Sequence, residues 1–325
     1  MTAPLPHAPV PPAATGRLGA YLLLTASMAL VGSYVALSKP LLAAFPLLIL
    51  ALLRFAIAAV AMLPWTLRAR DEPPLSRSEH LQLFLMSFFG NFLFSLAMLN
   101  GIARTTATAA GVILATLPAV VALLSWLLLR ERLSRRALAA IALAVGGIAL
   151  LQLARSPDES SAGTLLGNAL MLGAVACEAL YVIFARRLSQ QRTPLRVSAL
   201  INLWGLVLIA PWAVWQWWTL RPDLAAVGPG AWVLLVFYSL AASLVAVWLW
   251  MSGMKRVAAN EAGVFTVALP ITATAVGVLL LGETFTALHL LALLLAAAGV
   301  VLIATAAPPG PADSAPAPPP TPPAR

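Results

Sequence analysis

The chain has 325 residues, 61% of them hydrophobic and only 10% Asp, Glu, Lys or Arg, where a soluble domain carries roughly 25% charged residues. A water-facing surface cannot be built from so few charges, so composition excludes an ordinary soluble domain and places the chain in a lipid bilayer. The net charge of +9 is spread in short clusters between apolar runs, which reports membrane orientation and not a nucleic-acid patch.

In chain order, residues 1–17 are proline-rich and are expected to form a disordered cytoplasmic tail. The first apolar run starts at Leu18 and reaches Leu37, longer than the h-region of a cleaved signal peptide, so it reads as a retained span. A helix needs close to twenty residues to cross about 30 Å of hydrocarbon. Ten segments meet that length, at about 18–38, 43–65, 80–102, 105–128, 135–153, 162–185, 197–219, 230–251, 258–281 and 286–305. Lys39-Pro40 marks the first turn, Pro194 separates the sixth span from the seventh, and Arg221-Pro222-Asp223 turns the chain again. Residues 154–161 read as an extracytoplasmic linker, and 306–325 as a disordered Pro/Ala-rich cytoplasmic tail.

With the amino terminus inside, one side of the membrane receives Arg17, Arg68, Arg70, Arg77, Arg130, Arg132, Arg135, Arg136, Arg186, Arg187, Arg192, Arg196, Lys255, Arg256 and Arg325. The other receives Lys39, Arg104, Arg155 and Arg221. Fifteen basic residues against four is a strong positive-inside asymmetry. It predicts a multi-pass protein of the cytoplasmic (inner) membrane with both termini cytoplasmic. Trp65, Trp215, Trp217 and Trp218 fall at predicted span ends, where indole rings favour the interface.

The sequence repeats at an offset of 152 residues. Gly101, Arg104, Ala110, Gly111, Pro118, Glu131, Ser134 and Gly147 correspond to Gly253, Arg256, Ala262, Gly263, Pro270, Glu283, Thr286 and Gly299. Five spans per half is an odd number, so the second half (162–305) enters the membrane from the side opposite to the first (18–153). The expected fold is therefore all-α, a polytopic membrane protein with ten transmembrane helices in two inverted five-helix repeats, an arrangement common in secondary transporters.

The segment Thr105–Ser134 reads TTATAAGVILATLPAVVALLSWLLLRERLS, and its partner Val257–Thr286 reads VAANEAGVFTVALPITATAVGVLLLGETFT. Small residues, a mid-helix proline, an apolar stretch and a Gly/Arg-Glu turn, followed by helices ending in GGIAL and GVVLI, resemble the EamA-type branch of the drug/metabolite transporter superfamily. The resemblance covers residues 18–305. It implies ten spans, inverted halves and transport of small metabolites, often export of amino acids. It also implies cavity walls formed by the first, third, fourth, sixth, eighth and ninth spans. Where many members carry Trp-Gly, the halves carry Val31-Gly32 and Cys177-Glu178.

Arg54 is the clearest intramembrane charge; an Arg facing lipid at mid-span costs at least about 2.5–3.5 kcal/mol. It must face protein or water, as a contact for a substrate carboxylate or in a structural pair. Glu178 in the sixth span is its acidic counterpart, a candidate for a substrate ammonium, for a coupling proton, or for pairing with Arg54 itself. Glu261 stands at the entrance of the ninth span, a gate contact or a residue in headgroup water. Tyr34, Asn91, Tyr238, Ser243 and Trp248 are polar or aromatic groups within spans, either lining a passage or bridging helices. Asn91 and Ser95 share a helical face. Pro118 and Pro270 interrupt the fourth and ninth spans, as kinks or as gating elements. Glu131 and Glu283 are expected to satisfy turn donors, and Ser134 and Thr286 to cap the following helices.

One cysteine, Cys177, rules out an intrachain disulfide, and the three histidines are dispersed. The pattern offers no catalytic constellation, no cofactor site, no three-ligand metal set and no phosphate loop. The reading is a secondary transporter that exports an amino acid or related small polar compound, with the bilayer and a small-molecule substrate as partners and no nucleic acid. Coupling to a proton or a counter-solute stays open, as does oligomeric state. Import or exchange of a sugar, nucleoside or organic cation, and a nonenzymatic scaffold or receptor, are the competing readings.

Overall fold

The computed structural model describes residues 14–67, 74–130, 133–153, 161–188, 193–257 and 259–305. Its described regular structure is helical throughout. Helix α1 runs Ala14–Ala44, α2 Leu47–Ala61 and the short α3 Leu63–Thr66; α4 runs Arg77–Ser87 and α5 Phe94–Ile102. Then come α6 (Ala107–Leu114), α7 (Leu117–Leu129), α8 (Arg135–Leu153), α9 (Ser161–Leu188) and α10 (Pro194–Leu220). Helices α11 (Pro229–Leu240), α12 (Ala246–Met254), α13 (Ala259–Val264), α14 (Ala268–Leu281) and α15 (Ala287–Ala304) complete the fold.

Seven helical stretches among the described residues are long and apolar enough to cross a membrane, and an eighth if the bent pair α6–α7 is one span. Helix α2 is a shorter apolar helix, and α8 has 19 residues. Trp212, Trp215 and Trp218 of α10 are exposed, as are Val60, Leu127, Val145, Val233, Leu279 and Leu280. An exterior made of such side chains is stable against lipid and not against water. The protein is a multi-pass, all-α membrane protein.

The first turn differs from the sequence expectation. Helix α1 continues through Lys39 and Pro40 to Ala44, and the chain breaks at Pro46, whose extended backbone precedes α2. A proline disfavours helix in the residue before it, and both Lys39 and Phe45 precede one. At Lys39 tertiary contacts override that preference: its ammonium donates to the Thr105 carbonyl at 3.0 Å and meets Glu283 at 3.3 Å. At Phe45 no such tie carries the helix on, and the buried ring packs edge-on against Trp232.

Two π-helical turns interrupt long helices, at Phe88–Leu93 between α4 and α5 and at Ala241–Val245 between α11 and α12. Moving Phe89–Leu93 by the offset of 152 lands on Ala241–Val245. Such turns are rare and concentrate at functional sites. Helices α6 and α7 meet at 41°. Pro118 lacks the N–H that would continue the ladder, and the Thr116 hydroxyl donates to the Ile113 carbonyl at 2.6 Å beside the break. In the second half a 3-10 turn, Phe265–Val267, precedes Pro270.

Helix α1 packs along α14 and α12, α10 along α2, α5 along α9, and α8 along α15. The fully buried Tyr238, Phe45 and Phe55 centre the main core.

Candidate functional site

Arg54 sits midway along α2 and is only 7% exposed. Lipid is therefore not its environment. One guanidinium nitrogen donates to Ser95 Oγ at 2.9 Å, and the cation stands over the rings of Phe55 (4.6 Å) and Tyr238 (5.6 Å). These contacts shield the charge without neutralising it. Among the described residues no carboxylate reaches ion-pair distance of Arg54. Its Nε is buried without an acceptor, and so is the hydroxyl of Tyr238. Tyr34 packs edge-on against Tyr238 with ring centres 5.7 Å apart. The guanidinium and the Tyr238 hydroxyl thus have donors to spare, a chemistry that suits a carboxylate.

Glu178 of α9 is half-buried, and the Arg54 charge acts on its carboxyl through space. The same carboxyl acts on Tyr34 and Tyr181. Arg54, Tyr34, Tyr238 and Glu178 therefore belong to one electrostatic neighbourhood assembled from α1, α2, α9 and α11. Sequence reasoning did not single out Phe55 or Tyr181, although Tyr34-Val35 and Tyr181-Val182 are the same dipeptide in the first spans of the two halves.

Asn91 and Ser243 occupy the two π-helical turns, and both are engaged by α10. Asn91 Nδ2 and Ser87 Oγ each donate to the Ile201 carbonyl at 2.7 Å. Ser243 Oγ donates to Asn202 Oδ1 at 2.9 Å, and its carbonyl accepts from Ser198 Oγ at 3.0 Å. Asn202 is another residue the sequence reading passed over. It follows Pro194 at the same spacing at which Arg54 follows Pro46. Trp248 is 52% exposed. The side chain of Glu261 lies outside the described residues, as does Glu131. A cavity of about 10 Å³ beside the α6–α7 bend is lined by Thr116, Pro118, Ala140, Ala144, Ala296 and Gly299. That is room for about one water molecule.

A second polar cluster forms at the Lys39 end of α1. Gly282 adopts the left-handed backbone (φ 69°) that ends α14, where a side chain is disfavoured, and Glu283 follows it. The Glu283 carboxylate was expected to serve its own turn. Instead it accepts from Ala107 N (2.5 Å), Thr108 N (3.0 Å) and Thr108 Oγ1 (3.0 Å), at the start of α6. The turn itself is served by Thr286 and His289, which form a reciprocal cap for α15. Ser134 caps α8 by accepting from Ala137 N at 3.1 Å. Thr105 adds a 2.5 Å hydrogen bond to Asn168 of α9.

Comparison with known proteins agrees with this architecture. The family model for the EamA-like transporter family matches residues 18–153 and again 165–305. The chain is 32% identical over 286 residues to the "Uncharacterized transporter YetK" of Bacillus subtilis (strain 168), covering 87% of this chain and 86% of that one. It is 28% identical to the "Uncharacterized transporter YwfM" of the same organism, over 68% of this chain and 71% of that protein. An "Uncharacterized transporter" of Archaeoglobus fulgidus is 24% identical, with 73% and 81% covered. A solved structure entitled "Crystal structure of protein" superposes with a TM-score of 0.59 at 18% identity, over 89% of this chain and 98% of that chain; at that identity the likeness speaks for the fold alone. Two family matches that together span most of the chain, on a polytopic helical scaffold, make this protein a member of the EamA-like transporter family within the drug/metabolite transporter superfamily.

Proposed function

We propose that the chain is a secondary transporter of the cytoplasmic membrane that exports an amino acid or a related small polar compound by alternating access. The observation that carries this reading is Arg54, a buried cation with no ion-pair partner among the described residues and an acceptor-less Nε, in the same electrostatic neighbourhood as the Glu178 carboxyl. A solute bearing both a carboxylate and an ammonium complements the Arg54 cation and the Glu178 carboxyl at once. Tyr34 and Tyr238 supply the apolar and hydroxyl lining beside it. Asn91 and Ser243 join the same proposal as helix-bridging groups that can exchange partners, and Glu261 as a contact at the cytoplasmic entrance.

Ten spans in two inverted halves fit the observations when α2, α8 and the bent pair α6–α7 are counted as spans. The domain division at 18–153 and 162–305 rests on the repeat offset, and the recurrence of π-helical turns at that offset supports it. Fifteen basic residues against four support cytoplasmic termini. Pro118 lies at the bent α6–α7 junction and Pro270 just after the 3-10 turn that precedes α14, and α7 and α14 each pack on helices of the other family-matched segment. Such broken helices supply bending points and free backbone groups around a central site, so both prolines belong to the gating proposal. A proton bound by Glu178 or a counter-solute would supply the driving force.

Purified protein in liposomes loaded with one unlabelled amino acid at a time is expected to accumulate the cognate labelled solute by counterflow, with saturation. Amines or carboxylates alone should compete weakly, because each meets only one of the two groups. Absence of counterflow across amino acids, while a sugar, nucleoside or organic cation is exchanged, would replace the substrate class. Absence for every solute class would leave a scaffold or receptor.

A further inference from the structure

We propose that Glu283 is the latch that closes the extracytoplasmic end of the passage, with Lys39 and the first turn of α6 as its keeper. The proposal rests on the alternating-access reading above. Among the described residues, every hydrogen-bond and ion-pair partner of the Glu283 carboxylate lies in the other family-matched segment: Lys39 Nζ, Ala107 N, Thr108 N and Thr108 Oγ1. Lys39 also donates to the Thr105 carbonyl, so the ammonium ties α1 to the α6 start as well as to the carboxylate. A residue serving only its own turn would spend its oxygens locally. Here the local cap is made by Thr286 and His289, and Glu283 bridges the halves.

The contact between the halves below this point is built to pivot. Helix α14 presents Pro270, Ala273, Thr274 and Gly277 as a buried stripe. A Cβ on Gly32 would collide with the Leu269 carbonyl and crowd Ala273, and one on Gly111 would come 2.8 Å from Ala273 Cβ. The backbones of α1 and α6 therefore approach α14 closely there. Helix α14 ends at Leu281, and the Glu283 carboxylate folds back beside Gly277, where an added Cβ would meet its Oε2 at 2.5 Å; Gly277 is roughly 6 Å along the axis from Ala273 at 1.5 Å per residue. Small residues let α14 rock at that crossing without unpicking interlocked side chains. The polar tie at the far end is what must be released. Glu283 is 7% exposed and Lys39 36%, so water reaches the keeper before the carboxylate. Release exchanges four donors for hydration, which makes the tie a two-state element and not a flexible tether.

Thr274 offers a probe between pivot and latch: its hydroxyl is buried with no hydrogen-bond partner, so Thr274→Cys removes no bond. In a Cys177→Ser chain in intact cells, its labelling by a membrane-impermeant maleimide should be slow. Glu283→Gln is expected to raise that rate roughly tenfold, the effect of weakening one charge-assisted tie, and Lys39→Gln to raise it by a similar factor. Lys39→Arg should restore slow labelling. Unchanged labelling in folded Glu283→Gln and Lys39→Gln proteins, with only a lowered melting temperature, reduces Glu283 to a static helix cap and overturns the proposal. A rise seen only in inverted vesicles overturns the extracytoplasmic placement. Should Glu283→Gln fail to fold, Lys39→Gln, at the half-exposed rim, carries the same test. The assay needs no substrate, so failure of wild-type counterflow strikes the transport reading separately from the latch.

Discussion

Arg54 concentrates the chemistry of the chain in one side chain. Its hydrogen bond to Ser95 and its seat over Phe55 and Tyr238 orient the guanidinium and leave Nε without an acceptor. Arg54→Gln keeps a donor for Ser95 and removes the charge. It is expected to raise the half-saturation concentration of a carboxylate-bearing solute by roughly tenfold or more, measured by counterflow. Arg54→Lys should recover only part of that loss, because one ammonium cannot reproduce the planar fork that serves Ser95 and a carboxylate together. Equal transport in all three proteins would make Arg54 structural. That Arg54 must avoid lipid was legible from its place in an apolar run. That no described carboxylate pairs with it was not, because the choice among Glu178, Ser95 and the aromatic rings depends on how α2 is turned against α5, α9 and α11.

Helix α10 is the element that ties the π-helical turns together. It accepts from Asn91 and Ser87 at Ile201 and engages Ser243 through Ser198 and Asn202. Asn91 and Ser243 stood out from the sequence as polar groups in spans; the π-turns did not, since one extra residue per turn leaves little trace in apolar periodicity. Prolines were half informative. Pro118 marks a real bend, whereas Pro40 lies inside α1 and Pro46 makes the turn, because local preference at Lys39 yields to its tertiary hydrogen bonds. The close crossing of α6 on α14 gives a direct test. Gly111→Val forces a branched side chain toward Ala273 and the Pro270 backbone, and overpacking of this kind costs about 1–3 kcal/mol. A lower melting temperature in detergent is expected, together with slower counterflow. A Gly111→Val protein as stable and as active as the parent would show that the crossing is loose.

At the level of the whole protein, the orientation we propose rests on the asymmetry of basic residues. A cysteine replacing Asp223, between α10 and α11, is expected to react with an impermeant maleimide in intact cells, and one replacing Ser78, at the start of α4, only after permeabilisation. The reverse pattern would invert the protein and move the Glu283 latch to the cytoplasmic face. Class, membrane residence and family were all readable in the chain itself, because hydropathy and basic residues act through the solvent each segment meets, and the repeat is a property of residue order. The partners of the polar groups were not readable. Glu283 binds the start of α6 across 175 residues of chain, and Asn91 reaches α10 across 110. Such pairings exist only once helices are rotated and set at their depths, and in a bilayer every apolar face is nearly equivalent, so hydrophobic patterning alone does not choose the rotation. Close packing of small residues and the need to satisfy each buried polar group make that choice, and both act only in the assembled fold.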